Sequence, residues 1–251
     1  MTGRLVIAGL GPGSPHLVTP EVSEALADAT DIVGSTDDVA RVSTRPGQVR
    51  YATENCSENE RARQALALAA AGQRVAIVSS GDPGVFAAAT AVFEAIEQGE
   101  PVWRELEVQV LPGITAMLAA AARIGAPLGH DFCAINLSDD LKPWELIERR
   151  LLLAARGDFA LALYNPVSQA RPYQLARAFD LLRTVCAAET PVIFAKRVSD
   201  QDENIVTVPL GGAIADRADA RTVVLIGSSQ TRVVARRGRP PFGYTPRSAQ
   251  T

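Results

Sequence analysis

Short apolar runs alternate along the chain with longer stretches in which apolar residues recur at helical spacing. Leu5, Val6, Ile7 and Ala8 form an unbroken apolar run, the pattern of a strand buried on both faces of a parallel sheet. Further strand signals cover residues 31–33, 75–78, 107–110, 132–135, 159–163, 190–194, 204–209 and 222–226. Between them the periodicity predicts helices over residues 20–27, 59–71, 85–98, 114–124, 143–155, 169–186 and 210–216. Thr19-Pro20-Glu21 supplies a helix start, with a hydroxyl cap, proline at the first helical position and an acid in the first turn. This alternation predicts an α/β protein with mostly parallel sheets. Gly125-Ala126-Pro127-Leu128-Gly129 reads as a linker. Two α/β domains are therefore expected, over residues 1–124 and 130–235, with an interdomain cleft of the kind that favours ligands. Residues 236–251, rich in arginine, proline and small residues, are expected to form an extended, partly disordered tail.

The candidate chemistry lies where the apolar strands stop, because ligands of open α/β sheets gather outside the carboxyl ends of the strands. The first strand runs into Gly9-Leu10-Gly11-Pro12-Gly13. A dinucleotide fingerprint would space its glycines as Gly-x-Gly-x-x-Gly and open a helix at once. Here the third glycine comes one residue early, Pro12 removes a backbone donor, and the next helix waits until Thr19. The second strand ends in Gly34-Ser35 and offers no acid to a ribose. The first loop is thus a close-packed floor with weak means of holding phosphate, or simply a tight turn. The third strand breaks into Ser79-Ser80-Gly81-Asp82-Pro83-Gly84-Val85, where Asp82 can accept hydrogen bonds from a ligand or cap its own turn. The fourth ends in Leu111-Pro112-Gly113-Ile114-Thr115-Ala116. In the second half, Tyr164-Asn165-Pro166 and Gly227-Ser228-Ser229 repeat the device. His130-Asp131 adjoins the linker and is either a structural pair or an acid–base pair.

Composition narrows the reading. With 47% hydrophobic and 21% charged residues in 251, the chain is ordinary for a globular protein. No apolar run reaches the roughly 20 residues of a membrane helix, and the start of the chain has no signal-peptide pattern. Cys56, Cys133 and Cys186 are isolated, which suits a reducing cytoplasm and no metal site; only His16 and His130 are histidines. The net charge of −3 gives no support to nucleic-acid binding. Lys142 and Lys196 are the only lysines among 25 basic residues. The arginine excess fits the codon bias of a GC-rich genome, and it also suits bidentate binding of carboxylates.

The segments GLGPGSPHLVTPE, SSGDPGVF, LPGITAMLAAAARIGAPLGHDF, LSDDLKPWELIERRL, LYNP and VVLIGSSQT resemble the tetrapyrrole methyltransferases of corrin biosynthesis. The likeness runs from about Arg4 to about Thr231, with a looser continuation to Tyr244. The Gly-Pro-Gly and Gly-Asp-Pro loops mark the superfamily, whereas residues 125–144 point more narrowly to members acting at C17. The resemblance implies a homodimer that binds S-adenosylmethionine in the cleft and takes a polycarboxylate tetrapyrrole as substrate. Carried over by position, the cofactor contacts would be Pro12, Ser80, Gly81, Asp82, Val85, Thr115, Ala116, Tyr164 and Asn165, with Ala195 and Gly227 at later strand ends. The implied reaction moves a methyl group from a sulfonium to C17 and expels the C20 meso carbon from the ring. His130 and Asp131 are then the candidates for proton transfer, and Arg123, Lys142, Arg171 and Lys196 for the substrate carboxylates. Some positions depart from the family pattern. Ser35-Thr36-Asp37-Asp38 stands where a tyrosine is usual, residues 52–59 lack a methionine, Asn136 replaces serine, and Pro241-Phe242-Gly243-Tyr244 lacks an arginine. The alternatives are a methyltransferase of the same superfamily with another position or RNA as target, a nucleotide-dependent oxidoreductase, and a tetrapyrrole-binding protein without turnover.

Overall fold

The computed structural model describes residues 3–43, 45–54, 57–168 and 170–248. Cys56 and the predicted helix start at Gln169 lie outside them. The chain divides into two compact units, Met1–Thr115 and Ala116–Thr251. The division thus precedes the helix that leads into residues 125–129, rather than falling within that Gly/Pro segment.

The first unit runs β1 (Arg4–Gly9), α1 (Pro20–Asp28), β2 (Asp31–Ser35), α2 (Thr36–Ala40), β3 (Val49–Thr53), α3 (Glu58–Ala70), β4 (Arg74–Ser79), α4 (Ala88–Gln98) and β5 (Glu107–Leu111). Its sheet has the order β3-β2-β4-β1-β5 and is parallel throughout. The unbroken apolar run of β1 is explained by burial on both faces. Leu5 and Ile7 pack into a core with α3 and α4, while Val6 and Ala8 face a second core with Val22 of α1 and Val39 of α2. Each fully buried Leu or Ile contributes about 1.5–3 kcal/mol. The inward face of α3 is Ala62, Ala65, Leu66 and Ala69, small enough for close approach to the sheet, and Ser57 with Glu60 forms a capping box at its start. Because β1 lies between β4 and β5, the loops leaving these three strands are neighbours.

The second unit runs α5 (Ala116–Ile124), β6 (Gly125–Ala126), β7 (Phe132–Asn136), α6 (Trp144–Arg156), β8 (Ala160–Tyr164), α7 (Gln174–Leu182), β9 (Pro191–Lys196), β10 (Asn204–Pro209), β11 (Thr222–Ile226), β12 (Arg232–Arg236) and β13 (Arg239–Tyr244). Its main sheet has the order β10-β9-β11-β8-β7. β7 and β8 are parallel, as expected, but β11 lies between β9 and β8 and is antiparallel to both. A seven-residue loop, 197–203, joins β9 to β10, and those two are antiparallel as well. The loop takes its hand from Arg197 (φ +48°) and Ser199 (φ +69°).

Several elements differ from the sequence expectation. Two predicted helices are cut back: the one expected over residues 85–98 begins only at Ala88, after Phe86 is held at φ +53°, and the one expected over 210–216 is replaced by two 3-10 turns, Leu210–Gly212 and Ala215–Arg217. The segment expected as a linker pairs instead with the chain end, Gly125 with Gly243 and Ala126 with Tyr244. Within the segment expected as a tail, Arg239–Tyr244 forms β13 and pairs with β12 in a hairpin. Its base is fastened by buried hydroxyls: Thr231 and Thr245 share a hydrogen bond of 2.8 Å, and Thr245 Oγ1 donates to the Pro127 carbonyl at 2.6 Å.

Candidate functional site

In the first unit the three Gly/Pro loops do meet. Gly11 and Gly81 exchange backbone hydrogen bonds of 3.1 and 2.9 Å, and Leu10 N donates to the Ser79 carbonyl at 2.8 Å. The third loop is tied in by Asp82, whose carboxylate accepts from Gly113 N at 3.1 Å and from Gly84 N at 2.9 Å. The glycines are needed for this loop-on-loop contact. A Cβ at Gly113 would stand 2.1 Å from the Gly81 carbonyl oxygen, and one at Gly9 would stand 2.6 Å from Gly113 N. Pro12, Pro83 and Pro112 remove three N–H groups from the same edge. The edge therefore presents carbonyls and a carboxylate with spare acceptor capacity, which suits hydroxyls and amines and suits phosphate poorly.

Arg41 organises this edge although it lies at the end of α2 rather than at a strand end. Its Nη2 donates to the carbonyls of Leu10 (2.6 Å), Gly11 (3.0 Å) and Gly13 (3.2 Å), and Nη1 donates to Ser80 Oγ at 3.0 Å. Ser80 Oγ in turn donates to Asp38, which also accepts from Ser35 Oγ at 2.7 Å. Ser35 and Asp38 belong to the stretch that departs from the family pattern. The short helix α2 aims these side chains at the loops: Ser35 caps it, accepting from Asp38 N. Ser80, a sequence-predicted contact, is thus held between Asp38 and Arg41. Thr115 is buried at the end of this unit and Val85 is half-buried beside Asp82.

In the second unit β7, β8 and β9 end at one edge. There the Tyr164 hydroxyl accepts from Met117 N at 3.0 Å, next to Ala116, and so satisfies a free donor at the start of α5. Asn165 adopts φ +50° and donates to Asn136 Oδ1 at 3.1 Å. A non-glycine residue in this region at a strand end marks backbone held by its surroundings. Ala195 is buried near the same end of β9. Gly227 is not there. The antiparallel course of β11 carries it to the opposite edge, where its N donates to the Pro191 carbonyl at 2.8 Å and a Cβ would meet Thr231 Cβ at 2.6 Å. Its glycine serves that packing, at the other edge of the sheet from Tyr164.

His130 and Asp131 also lie at that opposite edge, because they precede β7. The four residue steps along β7 put them about 13 Å or more from the Tyr164 end, far beyond proton-transfer reach. Their side chains are 3.7 Å apart, with His130 half-buried and Asp131 largely exposed. An acid–base role for this pair would thus act at the other edge of the sheet from Tyr164.

The four candidate cations do gather at the Tyr164 edge, but with partners. Arg123 forks onto Glu203 at 2.9 and 3.1 Å. Arg171 bonds both Asp139, at 3.3 Å, and Asp140. Lys196 meets Asp219 at 2.6 Å. Lys142 donates to the Ser138 carbonyl at 3.1 Å. Burial, aided by Arg150, lowers the Lys142 pKa from its ordinary value, with Asp139 opposing. Burial also raises the thiol pKa values of Cys133 and Cys186, which disfavours thiolate at either. Among the described residues no three His, Cys, Asp or Glu side chains are grouped to hold a metal ion, and no helix is long and apolar enough to cross a membrane.

Residues 4–214 match the family model of the tetrapyrrole (corrin/porphyrin) methylases. The chain belongs to that family. It is 56% identical to the precorrin-3B C(17)-methyltransferase of a Sinorhizobium species, over 98% of this chain and 97% of the relative. It is 40% identical to a probable cobalt-factor III C(17)-methyltransferase of Salmonella typhimurium, over 96% of this chain and 99% of the relative. A crystal structure of the methyltransferase CobJ superposes with a TM-score of 0.93 at 54% identity, covering 97% of this chain and all of that one.

Proposed function

We propose that the chain is an S-adenosylmethionine-dependent C-methyltransferase that methylates C17 of precorrin-3B with ring contraction to precorrin-4, a step of cobalamin biosynthesis. The observation that carries this reading is the 56% identity to an enzyme of that name over nearly the full length of both chains. The loop edge of the first unit supports the cofactor assignment. Its carbonyls and Asp82 can accept from the hydroxyls and the amine of S-adenosylmethionine, and that molecule has no phosphate for the proline-broken loops to cradle. Pro12, Ser80, Gly81, Asp82, Val85 and Thr115 are the proposed contacts there, and Ala116, Tyr164, Asn165 and Ala195 those of the second unit. When bound, the cofactor supplies an activated methyl group, so the protein's work is alignment. The Gly11–Gly81 bridge and the Arg41 bonds keep the loop backbone rigid, which is what alignment requires. A homodimer in the cytoplasm completes the proposal.

A second reading, cobalt-factor III as substrate, draws on the 40% identity to the Salmonella relative. Incubation of the protein with each intermediate and a labelled methyl donor separates them. Label entering precorrin-3B supports the first reading. Label entering only the cobalt complex supports the second, and tight NAD binding without binding of S-adenosylhomocysteine overturns both.

A further inference from the structure

We propose that the β12–β13 hairpin is a docking arm for the carboxylates of the tetrapyrrole, an inference that rests on the substrate class given above. Arg232, Arg236, Arg237, Arg239 and Arg247 fall within or beside the hairpin, and no acid occurs anywhere from Ser228 to the end of the chain. This local excess sits on a chain of net charge −3. Among the described residues no carboxylate pairs with Arg232, Arg237 or Arg239, in contrast to the ion-paired Arg123, Arg171 and Lys196.

The register makes the charge more pointed. Arg236 and Arg239 are direct cross-strand partners, with Arg237 between them and Gly238 turning at φ +68°. Like charges directly opposite one another destabilise a hairpin, and a bound anion relieves them. Arg236 is already oriented: it stacks 3.7 Å from the Phe242 ring centroid, and its Nε donates to the Pro240 carbonyl at 2.7 Å, which leaves its terminal amino groups for a ligand. Val234 and Phe242 are direct cross-strand partners and so share one face with Arg236, which stacks on Phe242; both are exposed to roughly half. A surface of free guanidinium groups and exposed apolar side chains complements a macrocycle with an apolar face and a carboxylate rim. The buried Thr231–Thr245–Pro127 hydrogen bonds fasten the base, so the arm is held while its tip stays open to solvent.

The test is the double variant Arg237→Glu/Arg239→Glu in the 251-residue protein, since among the described residues neither side chain has a partner whose loss would disturb folding. Two readouts are compared with wild type: binding of uroporphyrin, a polycarboxylate porphyrin, and KM and kcat for precorrin-3B at low and high salt. The expected result is uroporphyrin affinity and KM weakened about tenfold, with kcat and S-adenosylhomocysteine affinity unchanged and the salt dependence of KM reduced. Porphyrin affinity and KM equal to wild type overturn the proposal, as does a loss of tRNA binding or of dimerisation in their place. Wild type that fails to methylate precorrin-3B yet binds uroporphyrin through these arginines contradicts the proposed reaction and leaves the arm standing.

Discussion

The Arg41 guanidinium donates to the Leu10 carbonyl at 2.6 Å, joining the helix after β2 to the loop after β1. The same group reaches Gly11, Gly13 and Ser80, so one side chain closes the loop edge of the first unit. Arg41→Ala strands carbonyls that had a charged donor, at a cost of about 1.5–3 kcal/mol. The expected outcome is a lower melting temperature and S-adenosylhomocysteine binding weakened about tenfold or more by calorimetry, with Arg41→Lys intermediate because an ammonium cannot span several carbonyls in one plane. Unchanged affinity in Arg41→Ala would mean that the clamp is structural only.

Gly113→Ala tests the contact between loops more severely. The added methyl would sit 2.1 Å from the Gly81 carbonyl, so one loop must move. Overpacking of this kind costs about 1–3 kcal/mol. The Asp82–Gly113 hydrogen bond is lost with it, and affinity for S-adenosylhomocysteine should fall further than in Arg41→Ala. Equal affinity for variant and wild type in a binding titration would sink this account of the glycine.

His130→Ala should leave turnover within about twofold of wild type, since His130 stands at the far edge of its sheet from Tyr164. A drop of a hundredfold or more in kcat, with folding intact, would instead establish an acid–base role for His130.

Asp219→Asn probes the ion pair with Lys196. Burial would raise the Asp219 pKa, but hydrogen bonds from Lys196, Thr222 and the Arg221 backbone outweigh it and hold the carboxyl below its ordinary value. A depressed folded pKa stabilises the protein above the unfolded pKa, near 4, and that stabilisation fades as pH falls through the folded value. The variant should therefore be less stable than wild type at pH 7 by up to about 1 kcal/mol, the pair being half-exposed, and the gap should close as the pH falls through the lowered Asp219 pKa. A gap that is constant with pH in denaturant melts contradicts this.

The nine strands predicted from the sequence all occur, and β1, β8, β9 and β11 were plainest, because burial on both faces writes itself into consecutive apolar residues. β3 left less trace: Val49 to Thr53 is a half-exposed edge strand after Pro46-Gly47. The helix α2 is five residues with two acids, too short for a periodic signal. Strand direction was legible only in part. The loop after Lys196 and the course of β11 depend on tertiary packing, and they moved Gly227 to the other edge from Tyr164. Glycine and proline at three strand ends correctly marked the loops that meet around Asp82. Arg41 was invisible because its role depends on a bend in the chain rather than on a motif, and the charge pairs of Arg123, Arg171 and Lys196 join residues distant in sequence.

The central claim is methyl transfer to a metal-free corrin precursor. Its most direct test is incubation of the purified protein with precorrin-3B and S-adenosylmethionine carrying a labelled methyl group, followed by mass spectrometry of the pigment. The account predicts one labelled methyl group on a ring-contracted product. Unlabelled precorrin-3B recovered under conditions in which the protein binds S-adenosylhomocysteine would contradict it.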